Sequence, residues 1–264
     1  MTALRAAVGQ YTATEDPVAN AATAVALVAR AAQAGARLVV LPEYALAWAP
    51  RLHTGLADGR EAFEDALAGA AAAHGVWVVA GTLEPAGDRL HNVAIALGPD
   101  GRRRAAYTKV HLFDAFGVRE SDVLDPGDPE DLVVLDVDGW RVGLATCYDL
   151  RFPEIFRRLV DAGAQAFAVG AAWAAGPGKD EQLGVLVRAR ALENTGYLLL
   201  ASQNGSGRTG VRSAVGPLGQ PLVVAGKHDE LLVADLAAGH LEKVRTTLPA
   251  LRHRRYAVVT TPAT

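Results

Sequence analysis

Trp140-Arg-Val-Gly-Leu-Ala-Thr-Cys147-Tyr-Asp-Leu-Arg-Phe-Pro-Glu154 is the stretch on which the reading of the chain turns. The apolar run from Val142 to Ala145 reads as a buried strand, and it stops at Thr146-Cys147. Pro153 stands where a first helical turn begins, and Ile155 to Ala162 continues at helical spacing until Gly163 ends it. A cysteine therefore sits at a strand-to-helix turn, and it is the only cysteine in 264 residues. Helix N-termini present free N–H groups and a partial positive charge. Such a setting lowers the pKa of a thiol and favours the reactive thiolate. A lone cysteine is ordinarily a small buried hydrophobe, so it is the address of Cys147 that argues for chemistry.

Working outward, Leu132 to Val137 and Trp140 to Ala145 flank Asp138-Gly139, a strong hairpin signal. Upstream, Arg5 to Gln10, Leu38 to Leu41, Val76 to Ala80 and Leu90 to Leu97 read as strands, and Arg102 to Thr108 pairs back across the turn Gly98-Pro-Asp-Gly101. Helices are predicted from Asp16-Pro17 to Gly35 and from Glu61 to His74, the second closed by Gly75. The stretch 47–58 reads as loop, and 111–129 as a long irregular segment of the kind that builds sites or lids.

The second half echoes the first. Ala34-Gly-Ala36 before Leu38-Val-Val-Leu41 resembles Ala162-Gly-Ala164 before Phe167-Ala-Val169, and His74-Gly75 before Val76 to Ala80 resembles Thr195-Gly196 before Tyr197 to Ala201. Gly98-Pro99 is matched by Gly216-Pro217. Continuous apolar strands need cover on both faces. Two such halves bury one sheet face against each other and cover the outer faces with helices. The prediction is an α/β fold, a four-layer α-β-β-α sandwich of two pseudo-repeated halves, forming a single domain over 1–264. The basic tail, 241–264 with Arg252-His-Arg-Arg255, has no obvious place in either half and is assigned to a subunit interface.

Composition bounds the function. Half the residues are hydrophobic and 21% are charged, which is globular rather than disordered. A net charge of −3 argues against nucleic acid as the main partner. No apolar run reaches the length of a membrane span, and the Ala-rich 21–29 falls far short. The N-terminus lacks the pattern of a signal peptide, and one cysteine allows no intramolecular disulfide. A reduced, cytoplasmic setting is the expectation.

Three strands end in a titratable residue: Glu43, Lys109 and Cys147. Ligands gather at the carboxyl ends of strands in α/β sheets. A thiol nucleophile needs a base, and Glu43, between Val39-Val-Leu41 and Tyr44-Ala-Leu46, has an apolar setting suited to that work. An ammonium at Lys109, with the N–H of Tyr148, would stabilise the oxyanion formed when sulfur attacks a carbonyl carbon. Taken singly, each charge reads as a solvated strand end; it is the conjunction that carries weight.

Leu41-Pro-Glu43-Tyr, Tyr107-Thr-Lys109-Val-His-Leu112 and Ala145-Thr-Cys147-Tyr-Asp-Leu-Arg-Phe-Pro-Glu154 resemble the three signature blocks of the nitrilase superfamily of carbon–nitrogen hydrolases, in that family's order and spacing. The likeness extends through Val8-Gly-Gln10, Gly176-Pro-Gly-Lys179, Arg188-Ala-Arg-Ala-Leu-Glu-Asn194 and Gln203-Asn-Gly205. It implies the same four-layer sandwich, with Cys147 as nucleophile, Glu43 as general base and Lys109 stabilising the tetrahedral intermediate. It also implies a supporting catalytic role for Glu120, orienting Lys109 or the leaving amine. Asp149, Arg151 and Glu154 are implied to fix the turn that presents Cys147, with Arg151 a candidate for a substrate carboxylate. Trp173 is placed in the pocket.

Among seven histidines only His111 stands beside a motif; alternation points it the same way as Lys109, and in the family it is usually structural. No His, Cys and Asp spacing suits a metal, and no metal or cofactor is implied. Gly205-Ser-Gly207-Arg-Thr-Gly210 has the spacing of a dinucleotide fingerprint but follows a late strand and opens no helix. The expected function is a thiol amidohydrolase acting on a small amide and water, most similar to the branch that cleaves ω-amides of dicarboxylic acids and deaminated glutathione. That branch commonly carries His-Trp where this chain has Gln182-Leu183, so pocket shape and substrate stay open. N-carbamoyl and nitrile hydrolysis are alternatives on the same triad. A non-catalytic scaffold with this fold predicts a degraded triad, and the triad is intact. By resemblance the protein is expected to form homodimers or larger homo-oligomers.

Overall fold

The computed structural model describes residues 3–205, 207–225 and 231–261. His228 and the last three residues of the basic tail, 262–264, lie outside that range. The first half runs β1 (Leu4–Gly9), α1 (Pro17–Gln33), β2 (Leu38–Val40), α2 (Arg60–His74), β3 (Trp77–Ala86), β4 (Arg89–Leu97) and β5 (Arg103–Thr108). The second runs β6 (Val134–Val137), β7 (Trp140–Thr146), α3 (Pro153–Asp161), β8 (Ala166–Ala171), α4 (Lys179–Glu193), β9 (Tyr197–Ser202), β10 (Arg212–Val215) and β11 (Pro221–Ala225). β12 (Leu231–Leu236) and α5 (Ala238–Thr247) follow.

The helices begin and end where their chemistry allows. Asp16 accepts from the N–H groups of Val18 and Ala19 ahead of Pro17, which satisfies donors that have no partner inside α1. Gly75 closes α2 at φ 62°, a left-handed conformation that costs glycine little. Asp138 and Gly139 both have positive φ, 51° and 85°, as a two-residue hairpin between β6 and β7 requires. β3 runs further than the predicted 76–80, because its register with β4 continues from Val78↔Leu97 to Ala86↔Arg89.

The two sheets have the orders β12-β1-β2-β3-β4-β5 and β11-β10-β9-β8-β7-β6. In each, three parallel strands (β1-β2-β3 and β7-β8-β9) carry the crossover helices, and the antiparallel hairpins lie beside them. This is the pseudo-repeat read from the sequence, and the layered sandwich it implied. Alternation divides the faces. Leu38 and Val40 of β2 join the core shared with Leu144, Phe167 and Leu198 of the second sheet. Val39 joins Leu27, Val28, Phe63 and Leu67 of the covering helices. The tail begins inside α5, where Leu241 and Val244 are buried and Arg245 donates to the carbonyls of Thr195 and Ala164. Beyond it, Tyr256 and Val259 are exposed. None of the helices among the described residues is long and apolar enough to cross a membrane.

Candidate active site

Three strand ends, two from the first sheet and one from the second, converge between the sheets. β2 ends into Leu41-Pro42-Glu43, and Glu43 is followed by Tyr44 at φ 55°. The approach is close enough to demand glycine opposite it. A Cβ on Gly81 would lie 2.6 Å from the Pro42 carbonyl, and one on Gly170 would lie 2.8 Å from the Glu43 nitrogen. Lys109 follows β5 directly, its N–H still bonded at 2.8 Å to the Asn92 carbonyl of β4. Cys147 follows β7 at φ 45° and opens a short 3-10 helix, Cys147–Arg151, ahead of α3.

That turn is built by Asp149. Its carboxylate accepts from the Thr146 N–H at 2.8 Å and from the Tyr107 hydroxyl at 2.7 Å, tying the entry of the 3-10 helix to its third residue. His111 belongs to the same support: its Nδ1 is 2.7 Å from Asp149 Oδ1, and its ring stacks on Phe152 at 3.7 Å. The structural reading of His111 and Asp149 is the one the geometry bears out.

The Lys109 ammonium is completely buried between two carboxylates. It donates to Glu43 Oε1 at 2.8 Å and to Glu120 Oε2 and Oε1 at 2.8 and 3.1 Å. Burial alone would lower its pKa, but Glu120 and Glu43 outweigh that and hold it well above the usual lysine value. Glu43 also accepts from Asn92 Nδ2 at 2.9 Å and from the Ala172 N–H at 2.8 Å. Glu120 accepts from the Tyr44 hydroxyl at 2.8 Å and the Phe113 N–H at 2.7 Å. Both carboxylates are thus fixed by several donors each, as buried charges must be.

The sequence argument for Cys147 needs one correction. Burial and the Glu43 charge push its thiol well above the usual cysteine value, and Lys109 opposes them only in part. A five-residue 3-10 helix has too little dipole to reverse the cost of placing a thiolate in an apolar site beside a carboxylate. The resting group is the thiol.

Glu43, Glu120, Cys147, Tyr148 and Trp173 all line one cavity of about 350 Å³. Tyr44, Trp48 and Phe113 add aromatic wall, and Arg151, Lys179 and Arg208 add positive charge. The Tyr148 ring is held edge-on by Phe113 and Phe152 at 5.0 and 5.2 Å. Its N–H falls in the first turn of the 3-10 helix, where N–H groups lack intrahelical acceptors. Arg151 lies over Trp173 at 5.0 Å and donates to Gln182 Oε1 at 2.9 Å. Among the described residues, no group of three or more His, Cys, Asp and Glu side chains could hold a metal ion.

Residues 5–246 match the carbon-nitrogen hydrolase family. The chain belongs to that family. A hydrolase of Mycobacterium tuberculosis strain H37Rv is 39% identical over 272 residues, covering 95% of both chains. The chloroplastic omega-amidase of Arabidopsis thaliana is 31% identical over 266 residues, 93% of this chain and 71% of that one. Among solved structures, an amidase from Nesterenkonia sp. AN1 with the acetamide moiety of fluoroacetamide added covalently at its active-site cysteine superposes with a TM-score of 0.82. It is 30% identical and covers 96% of this chain and 94% of that one. This protein is a carbon–nitrogen hydrolase of the nitrilase superfamily, with amidases among its relatives.

Several residues of this hydrolase's site escaped the sequence reading. Asn92 sits mid-strand in β4 with a polar side chain facing a core, a signal that was available. Tyr44 and Trp48 lie in stretches read as motif and loop. Arg208 lay inside the glycine-rich segment set aside as a false fingerprint, and that segment does follow β9 without opening a helix. Lys179 was noted only as part of a block.

Proposed function

We propose that the protein hydrolyses small primary amides through a thioester on Cys147. The observation that carries this is that Glu43 and Cys147, from strand ends distant in sequence, line one cavity, with Lys109 buried behind it and bonded to Glu43 at 2.8 Å. Cys147 sulfur attacks the amide carbonyl carbon while Glu43 takes the thiol proton, so the thiolate never has to exist in the resting site. Lys109 and the Tyr148 N–H stabilise the oxyanion. Glu120, bonded to the same ammonium as Glu43, holds Lys109 in place. Glu43 returns its proton to the nitrogen, the C–N bond breaks, and ammonia leaves. Water, deprotonated by Glu43, then cleaves the thioester, releasing the carboxylic acid and restoring the thiol.

The substrate class we infer is an ω-amide of a dicarboxylic acid. Arg151, Lys179 and Arg208 give the cavity an excess of positive charge suited to a substrate carboxylate, and an omega-amidase is among the relatives. Trp173 and the other aromatic walls would pack the carbon chain between carboxylate and amide. The single free thiol fits a reducing cytoplasmic compartment. The exposed Tyr256 and Val259 of the tail suit contact with a second copy of the chain.

Ammonia release from a panel of ω-amides, neutral amides, N-carbamoyl compounds and nitriles tests the reading. Release from the amides, lost by at least about 1,000-fold in Cys147→Ala, is expected. No release from any of them, or an unchanged rate in that variant, contradicts it.

A further inference from the structure

Three cations line the cavity, and they are not equivalent. The two carboxylates at its floor, Glu43 and Glu120, share Lys109, which leaves Arg151, Lys179 and Arg208 facing a single unmatched negative charge. Arg151 is engaged, donating to Gln182 while lying over Trp173. Lys179 stands 3.6 Å above the Phe116 ring, and burial, then the Arg151 charge, lower its pKa. Neither observation marks a group waiting for an anion.

Arg208 differs. Its guanidinium carbon lies 3.9 Å from the centre of the Trp48 ring, a cation–π contact. Its Nη1 donates to the Gly207 carbonyl at 3.1 Å, and its Nε is buried with no hydrogen-bond partner. The backbone beneath is pinned to the strand end that carries Trp173: the Ala175 N–H bonds the Gly207 carbonyl at 2.9 Å and the Thr209 N–H bonds the Trp173 carbonyl at 3.0 Å. Burial lowers the Arg208 pKa, with Glu43 the largest of the charges that oppose this. A cation that lines the cavity, is partly desolvated, sits over an aromatic ring and is carried on a pinned backbone is preorganised for a carboxylate.

We propose that Arg208, on its Trp48 platform, is the specificity-determining residue that binds the carboxylate of the substrate, with Arg151 chiefly holding the turn after Cys147 and the cavity wall. This rests on the reading of the substrate as a carboxylate-bearing amide. It adds which side chain recognises the acid, and it makes Trp48 a positioning residue for that recognition.

Steady-state kinetics on glutaramate and on valeramide, which carries a methyl in place of the carboxylate, separate the possibilities. For Arg208→Met, kcat/KM on glutaramate is expected to fall on the order of 10- to 100-fold, mainly through KM, with valeramide changed less than about threefold. Arg208→Lys is expected to recover part of the loss, and Trp48→Leu to lower glutaramate turnover selectively. In Arg151→Met the preference for glutaramate is expected to survive. The neutral amide serves as the control for folding. An equal loss on both substrates with Arg208→Lys and Arg208→Met alike overturns the assignment, as does a wild-type preference retained in Arg208→Met. A wild-type enzyme that prefers valeramide overturns the carboxylate reading as well, so the two failures are distinct.

Discussion

Cys147 shows how far one side chain can be read from its place in a sequence. Its strand end, its uniqueness and its flanking motif mark it as the candidate nucleophile, and none of those features depends on distant packing. Its protonation state does depend on packing. Burial and the Glu43 charge, which come from another part of the chain, hold the thiol up against the smaller pull of Lys109. The sign gives a direct prediction. Glu43→Gln removes the negative charge and keeps the burial, so the thiolate absorbance of the sole cysteine should appear at lower pH than in the wild type. Activity should fall in the same variant, because the proposed base is gone. A thiol titration that stays put or moves to higher pH would contradict the electrostatic account of the site. Arg208 illustrates the opposite limit of legibility. Nothing in Gly205-Ser-Gly-Arg-Thr-Gly210 says that the arginine stacks on Trp48, 160 residues earlier by numbering.

At the scale of elements, the site is a set of strand ends, and its precision lies in the places where two backbones nearly touch. β2 delivers Glu43, while β3 and β8 flank it through Gly81 and Gly170. The sequence revealed the strands, because buried parallel strands are continuous apolar runs. It did not reveal why those two glycines are required, since the atoms they avoid belong to another strand. A methyl at Gly170 would come within 3.1 Å of the Leu41 carbonyl and closer still to the Glu43 nitrogen, all backbone atoms with little freedom to move. Gly170→Ala should therefore cost about 1–3 kcal/mol of stability by denaturant unfolding. It should also lower kcat by at least about tenfold in the protein that stays folded, since displacements of the order of an ångström are that costly. Wild-type kcat in that variant would show that Glu43 tolerates displacement. The turn after β7 was placed correctly at the strand-to-helix boundary. Its true form, a 3-10 segment capped by Asp149 with Tyr107 and His111 behind it, depends on partners about 40 residues upstream.

For the molecule as a whole, the internal repeat was the readable feature. Matching glycine turns and apolar strands in the two halves implied two similar sheets, and the strand orders of the two sheets mirror each other. What the repeat could not place was β12, which leaves the second half and pairs antiparallel with β1, from Leu4↔Leu236 to Gly9↔Leu231. Arg5 and Asp235 seal that pairing with two hydrogen bonds, 2.8 and 2.9 Å, across 230 residues of sequence. The chain thus closes on its own first strand, and the cavity sits where the two sheets meet, with Glu43 and Lys109 from one and Cys147 from the other. A site divided in this way works only when both halves are docked, and the step proposed for it is a covalent one on one sulfur. Intact-mass analysis of protein quenched during turnover of glutaramate tests that step most directly. The account predicts a species heavier than the free protein by the acyl group, with ammonia lost, mapped by proteolysis to the peptide containing Cys147 and absent from Cys147→Ser. Turnover with ammonia release and no such adduct under any quench, or an adduct on another residue, would contradict it.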